Sequence, residues 1–208
     1  MVPPRRIKGS CGMAYHGGMA TPVSETTLTA EEFYRLPGPV HGGKMELVRG
    51  KVVTSMPVSG KHGERQLIIA EHLRRFLARA NEGRATVETG YVLRRDPDVV
   101  RAPDVSVAPL AALQGGDLPE DAFVDGPPLL AVEVVSKSDS ERDVLEKVGE
   151  YLDAGVPRVW LVRARNQSVV VYTGDGEVKS MPLTGVLTSD EAGFRTPGFE
   201  LPIATIFA

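Results

Sequence analysis

The stretch from Leu129 to Trp160 constrains the chain more than any other. It sets a continuous apolar run, Leu129 to Val135, ahead of a helical pattern and a second apolar run, Val159 to Val162. Strand, helix, strand at this spacing is a crossover unit, which joins two neighbouring strands in parallel and buries both. One acid, Glu133, interrupts the first run. A strand covered on both faces tolerates an ionised carboxylate only beside a metal or a cationic partner. Glu133 therefore needs an explanation, and Lys147, on the helix that follows, is a first partner to consider.

That helix is expected to start near Asp139 or Ser140 and to stop at Gly155, just before Pro157. Val144, Leu145, Val148 and Leu152 form its apolar stripe, while Asp143, Lys147 and Tyr151 share an adjacent face at a spacing of four. An intrahelical pair between Asp143 and Lys147 is thus the plain alternative to a role beside Glu133. Upstream, Thr29 and Glu32 have capping-box spacing and open a short helix that Pro37 stops. A hairpin turns at Arg49-Gly50. From Gly63 to Ala80, Leu67, Ile69, Leu73, Phe76 and Leu77 recur at helical spacing, with an end near Gly83. Strand signals follow at Thr86 to Leu93 and Val105 to Ala108, and a Gly/Pro-punctuated loop from Gly115 to Pro128 reads as an edge or lid. A second hairpin turns at Gly174-Asp175-Gly176, and the tail closes on Leu201, Ile203, Ile206 and Phe207.

Hairpins require antiparallel pairs and the crossover a parallel one, so the expected class is α/β or α+β, a mixed central sheet flanked by helices. Residues 25–208 are expected to form one domain. Residues 1–24, where Gly and Pro interrupt Arg5, Arg6 and Lys8, are expected to be a disordered extension, with Met13 and Met19 as alternative starts.

A net charge of -3 and a pI near 5.9 argue against a protein that coats nucleic acid nonspecifically. Any such contact must be focal, and Arg74, Arg75 and Arg79, with Arg94, Arg95 and Arg101, are the basic clusters large enough to provide it; a solvated helix face and loop is their plainer reading. The single cysteine, Cys11, builds neither an intrachain disulfide nor a cysteine-ligated zinc site, which fits a cytoplasmic protein. No apolar run is long enough for a signal-peptide core or a membrane span. A Gly-rich phosphate loop, a GxSxG elbow and a dinucleotide fingerprint are all missing, which lowers the case for a kinase, an esterase or a dehydrogenase.

Glu46 in MELV, Asp104 in APDVSV and Glu133 in AVEVV each lie on or beside an apolar strand. Convergent carboxylates of this kind hold Mg²⁺ or Mn²⁺ against a phosphodiester, and a nearby lysine orients water or stabilises developing negative charge. Each has a plainer reading: Glu46 facing solvent, Asp104 capping a turn after Pro103, Glu133 in a structural salt bridge with Lys147 or Arg142. His62, ahead of the long helix, is a general base, a phosphate contact or only a helix-entry residue. His16, His41 and His72 have no ligand-like spacing, and Lys137 lies past the strand in Ser-rich sequence.

In order, EEFYRLP, MELVRGKVV, His62-Gly63, VRAPDVSV and LLAVEVVSKSDSERDVLEKVGEYLDAGVPRVWLV resemble the Uma-two family, which has the restriction-endonuclease-like PD-(D/E)XK fold, over roughly residues 28 to 207. The resemblance implies a Mg²⁺-dependent nuclease site, nucleic acid, with DNA foremost, as the partner, and assembly into homodimers. Asp104 matches the first metal-binding acid and Glu133 the second, while Glu46 and His62 match additional polar positions. The motif's lysine falls at Val135, which cannot do its work, and Lys147 matches the helix lysine that replaces it. Arg49 stands where the family commonly has an acid, and Lys137 where it has proline. The expected function is a metal-dependent endonuclease. A catalytically silent module that keeps the fold for nucleic-acid binding or assembly is the alternative, and a two-carboxylate carbohydrate hydrolase is a weaker one, given a single tryptophan.

Overall fold

The computed structural model describes residues 27–40, 42–136 and 139–208. The proposed 1–24 extension, Cys11, His16, His41 and Lys137 lie outside the described residues. Helix α1 (Ala30–Tyr34) leads to the hairpin of β1 (Lys44–Val48) and β2 (Lys51–Ser55), then to the long helix α2 (Gly60–Ala80). Strands β3 (Arg84–Val87), β4 (Tyr91–Arg94), β5 (Val99–Arg101) and β6 (Val105–Ala108) follow. A 3₁₀ turn and the short β7 (Val124–Asp125) precede the crossover unit of β8 (Leu130–Val135), α3 (Glu141–Asp153) and β9 (Arg158–Arg163). The remainder is β10 (Ser168–Thr173), β11 (Val178–Met181), β12 (Val186–Thr188), α4 (Ser189–Ala192), β13 (Glu200–Pro202) and α5 (Ile203–Ile206).

Six strands form a mixed sheet in the order β11-β10-β9-β8-β6-β3, with β8 and β9 parallel and joined through α3, as the crossover pattern requires. A second sheet, β2-β1-β5-β4-β7, was not legible in the pattern. Its origin is a break inside Thr86 to Leu93, which reads as one strand. Glu88 takes a positive φ of 52°, and a Cβ at Gly90 would come within 2.4 Å of the Phe123 ring. The chain turns there, leaving β3 in the first sheet and β4 in the second. The Arg49-Gly50 hairpin forms as expected, both turn residues having positive φ.

The caps follow the sequence closely. Thr29 and Glu32 make both bonds of the capping box. Ser140 caps α3 by accepting from the Asp143 N–H, and Ser59 caps α2, which starts at Gly60 rather than Gly63 and ends on a left-handed Asn81 rather than at Gly83. Leu67 is largely exposed, so the buried stripe of α2 runs through Gln66, Ile69, Leu73, Phe76 and Leu77 instead.

Strand parity assigns the two faces of the six-stranded sheet. On one, Val105, Val107, Leu130, Val132, Val134, Trp160 and Val162 pack against α2 and the C-terminal Leu201, Ile203 and Ile206. Fully burying each such side chain contributes about 1.5–3 kcal/mol, so this layer holds the sheet to its helix. On the other, Ala131, Val159 and Leu161 pack against Val144, Val148 and Tyr151 of α3. Glu133 lies between Val132 and Val134 and so points to the α3 side.

Candidate active site

The site grows from the β6–β8 ladder. These strands pair antiparallel, the register ending with Val105 opposite Val132, so Asp104 and Glu133 are the next residues of the two chains beyond that pair. The strand locks the first acid in place, because the Val134 N–H donates to Asp104 Oδ2 at 2.7 Å. From β1, Glu46 is buried, its Oε1 accepting from the Ala102 N–H at 3.0 Å and its Oε2 from the Arg101 guanidinium at 2.8 Å. From α3, the Lys147 ammonium donates to both oxygens of Glu133 at 3.1 and 3.2 Å and lies 3.2 Å from Glu46 Oε1. One turn on, the Tyr151 hydroxyl donates to Glu133 Oε1 at 2.7 Å.

The α2 N-terminus brings in His62. Its Nε2 is 3.1 Å from Asp104 Oδ2, but the direction is wrong for a hydrogen bond and neither buried ring nitrogen has a hydrogen-bond partner. All five residues singled out from the sequence thus lie in one cluster, Lys147 touching Glu133 and Glu46, and His62 touching Asp104. Two plain readings give way, since Glu46 is buried and the Lys147 ammonium goes to Glu133 and Glu46 in place of Asp143, while the plain reading of Glu133, a salt bridge with Lys147, is present as a contact.

Several members were not found by sequence reasoning. The Lys44 ammonium donates to Asp104 Oδ1 at 3.0 Å and to the Ala102 carbonyl at 2.7 Å, and lies 3.5 Å from Glu88 Oε2. A usable signal existed, since Lys44 and Glu46 are two apart on one strand and share its face. Arg101 is also corrected: it is buried, bridging Glu46 and Glu150 at 2.8 and 2.6 Å, and is no free phosphate contact. Glu150 keeps one oxygen, Oε1, buried without a hydrogen bond. Of the other arginines, Arg75 pairs with Glu71, and Arg95 is tied to Glu31, Asp98 and Asp125.

The electrostatics are uneven. Burial would raise the Asp104 carboxyl, but the His62 contact, Lys44 and the Val134 N–H together hold it far below the usual carboxylate range. Burial likewise opposes ionisation of Glu46, and Lys147 and Arg101 overcome it. Glu133 goes the other way: burial pushes it up, Asp104 and Glu46 add to the push, and Lys147 offsets only part. Lys147 loses by burial and gains more from Glu133 and Glu46, so its pKa rises.

Carboxylates Glu46, Glu88, Asp104, Glu133 and Glu150 surround the fixed cations Lys44, Arg101 and Lys147. Fully ionised, that group carries two uncompensated negative charges. Hard oxygen donors with this residual charge suit Mg²⁺ or Mn²⁺. Among the described residues, no three His, Cys, Asp or Glu side chains close on one metal-sized point, because the two ammonium groups hold the carboxylate oxygens.

Comparison with known proteins bears on the family and the fold. The Uma2 family model, described as "Putative restriction endonuclease", matches residues 30–204. A crystal structure of a "putative nuclease" from Anabaena variabilis has a TM-score of 0.68 and 23% sequence identity, covering 86% of this chain and 97% of that one, and shares the fold. No curated protein matches the chain.

Proposed function

The chain belongs to the Uma2 family, and from that premise we propose that it is a divalent-metal-dependent phosphodiesterase of the nuclease type, acting on nucleic acid, with DNA as the foremost substrate. The observation that carries this reading is the convergence of Asp104, Glu133, Glu46 and Lys147, from four separate elements, on one face of the β6–β8 ladder. Structure alone needs no such group: three buried acids in contact with two half-buried lysines cost desolvation that an apolar face would avoid.

Asp104 and Glu133 would hold the cation, with Glu46 assisting directly or through water. Bound there, Mg²⁺ or Mn²⁺ supplies electrophilic charge to a phosphoryl oxygen and acidifies water. The chain's own groups do the positioning. Lys147, fixed by Glu133 and Glu46, keeps a full positive charge where it orients the attacking water and stabilises charge that develops on phosphate. Tyr151 holds the Glu133 carboxylate at a fixed orientation. His62, whose Nε2 lies 3.1 Å from Asp104 Oδ2, serves as a phosphate or proton-transfer partner beside that acid.

Residues 25–208 are taken as one restriction-endonuclease-like domain, acting in the cytoplasm; homodimeric pairing rests on the family resemblance alone. No helix among the described residues is long and apolar enough to cross a membrane. One observation favours a second reading, a silent nuclease-fold module: Lys44 and Lys147 already occupy the oxygens a cation needs.

Cleavage of labelled single- and double-stranded DNA and RNA with Mn²⁺ or Mg²⁺ tests the proposal. Asp104→Ala should lower metal-dependent cleavage by at least about 1,000-fold, and a variant as active as the parent would remove the assignment.

A further inference from the structure

One oxygen-lined place in this cluster is filled by the protein itself. Lys44 Nζ sits between the Ala102 carbonyl oxygen at 2.7 Å and Asp104 Oδ1 at 3.0 Å, with Glu88 Oε2 at 3.5 Å. A backbone carbonyl and two carboxylates converging on one point are the oxygen donors that hard divalent ions take. The strand fixes this arrangement: Ala102 and Asp104 flank Pro103, and Glu46, two residues from Lys44 on β1, is pinned by the Ala102 N–H. Glu88 is in turn oriented by the Gln66 amide at 2.8 Å.

Resting on the nuclease reading above, we propose that Lys44 is a resident cation of the metal site, a tethered ammonium that stabilises the empty acid cluster and that a divalent ion must displace from Asp104 before it binds. The charge balance supports this. The Lys44 ammonium lies 3.0 Å from Asp104 Oδ1 and 3.5 Å from Glu88 Oε2, and its strand neighbour Glu46 adds a third carboxylate nearby. Its ammonium holds the same oxygens that a metal would use. The free energy of metal binding is reduced by the cost of releasing the ammonium, so the site discriminates against monovalent ions, which gain too little to displace it, and responds to divalent ones. Lys44 is a positioning residue here: it acts on Asp104 and need not touch substrate.

Mn²⁺ affinity of the full chain, measured by titration calorimetry without substrate, tests this directly. Lys44→Met removes the charge at similar length and should bind Mn²⁺ at least ten-fold tighter than the parent, while its metal-free thermal midpoint falls and recovers with Mn²⁺. Lys44→Arg, which restores a tethered cation, should return affinity toward the parent's. Tighter binding by the Met variant supports the proposal, even where the parent binds too weakly to measure. A folded Met variant that binds Mn²⁺ no tighter than a binding parent overturns it and leaves the nuclease reading standing, whereas no binding by either overturns both.

A measurement on the parent alone remains if the Met variant does not fold. Acylation of Lys44 by an amine-reactive reagent, mapped by mass spectrometry, should rise several-fold with millimolar Mn²⁺ while exposed Lys61 stays constant. Unchanged Lys44 labelling overturns the proposal.

Discussion

Two glutamates of this protein have nearly the same small exposure, Glu133 at 8% and Glu191 at 9%, but Glu133 lies deeper, and their surroundings drive them in opposite directions. Glu191, on α4, closes a capping box with Thr188, whose N–H and hydroxyl both donate to it, and accepts from Lys179 as well. Burial works against its charge, but those donors bring its pKa down to about 2. Glu133 has Lys147 and Tyr151 as donors, yet burial pushes its pKa up, and Asp104 and Glu46 add to the push. A structural acid is supplied with donors until its charge is settled. An acid placed beside other acids is left with charge to share, and an added cation relieves it.

That contrast breaks most readily at Glu133. Glu133→Gln keeps size and shape and an acceptor for Tyr151, so circular dichroism should be unchanged while metal-dependent cleavage falls at least about 100-fold. Equal activity in the variant would put Glu133 in the same class as Glu191. The smaller effect lies at the other acid. Glu191→Ala should cost about 1–2 kcal/mol of stability, the size of a lost helix cap, and leave cleavage per folded molecule intact.

The pH dependence of that cost sharpens the contrast. The folded pKa of Glu191, about 2, is below its ordinary 4.5, so the folded state binds the proton less well than the unfolded state. Its contribution is fully present above pH 4.5 and is lost as pH falls toward 2. Chemical denaturation of parent and Glu191→Ala across that range should show the difference shrinking; a constant difference would contradict the assignment.

Much of the site was legible because strand parity and helical spacing are local properties. Alternation put Glu133 on the face opposite Val132 and Val134, and a spacing of four put Lys147 and Tyr151 on one side of α3; both hold in the structure. Ser140, Gly155 and the Thr29 capping box were equally readable, since caps are chosen by residues within one turn. What was missed depends on contacts distant in sequence. Arg101 resembles any loop arginine until β5 pairs with β1 and sets it between Glu46 and Glu150. Lys44 opens the first strand of its hairpin, and only the fold brings Asp104 to it. The second sheet escaped notice because its cause, the turn at Glu88 and Gly90, includes a ring contact with Phe123, more than thirty positions away.

The central claim is that Asp104 and Glu133 form one cation site. Crystals of the protein soaked in Mn²⁺, with anomalous scattering recorded near the manganese absorption edge, test it most directly. The account predicts a peak within coordinating reach of both carboxylates, with Lys44 withdrawn from Asp104. A map at millimolar Mn²⁺ with no peak there, or with its only peak elsewhere on the molecule, would contradict it.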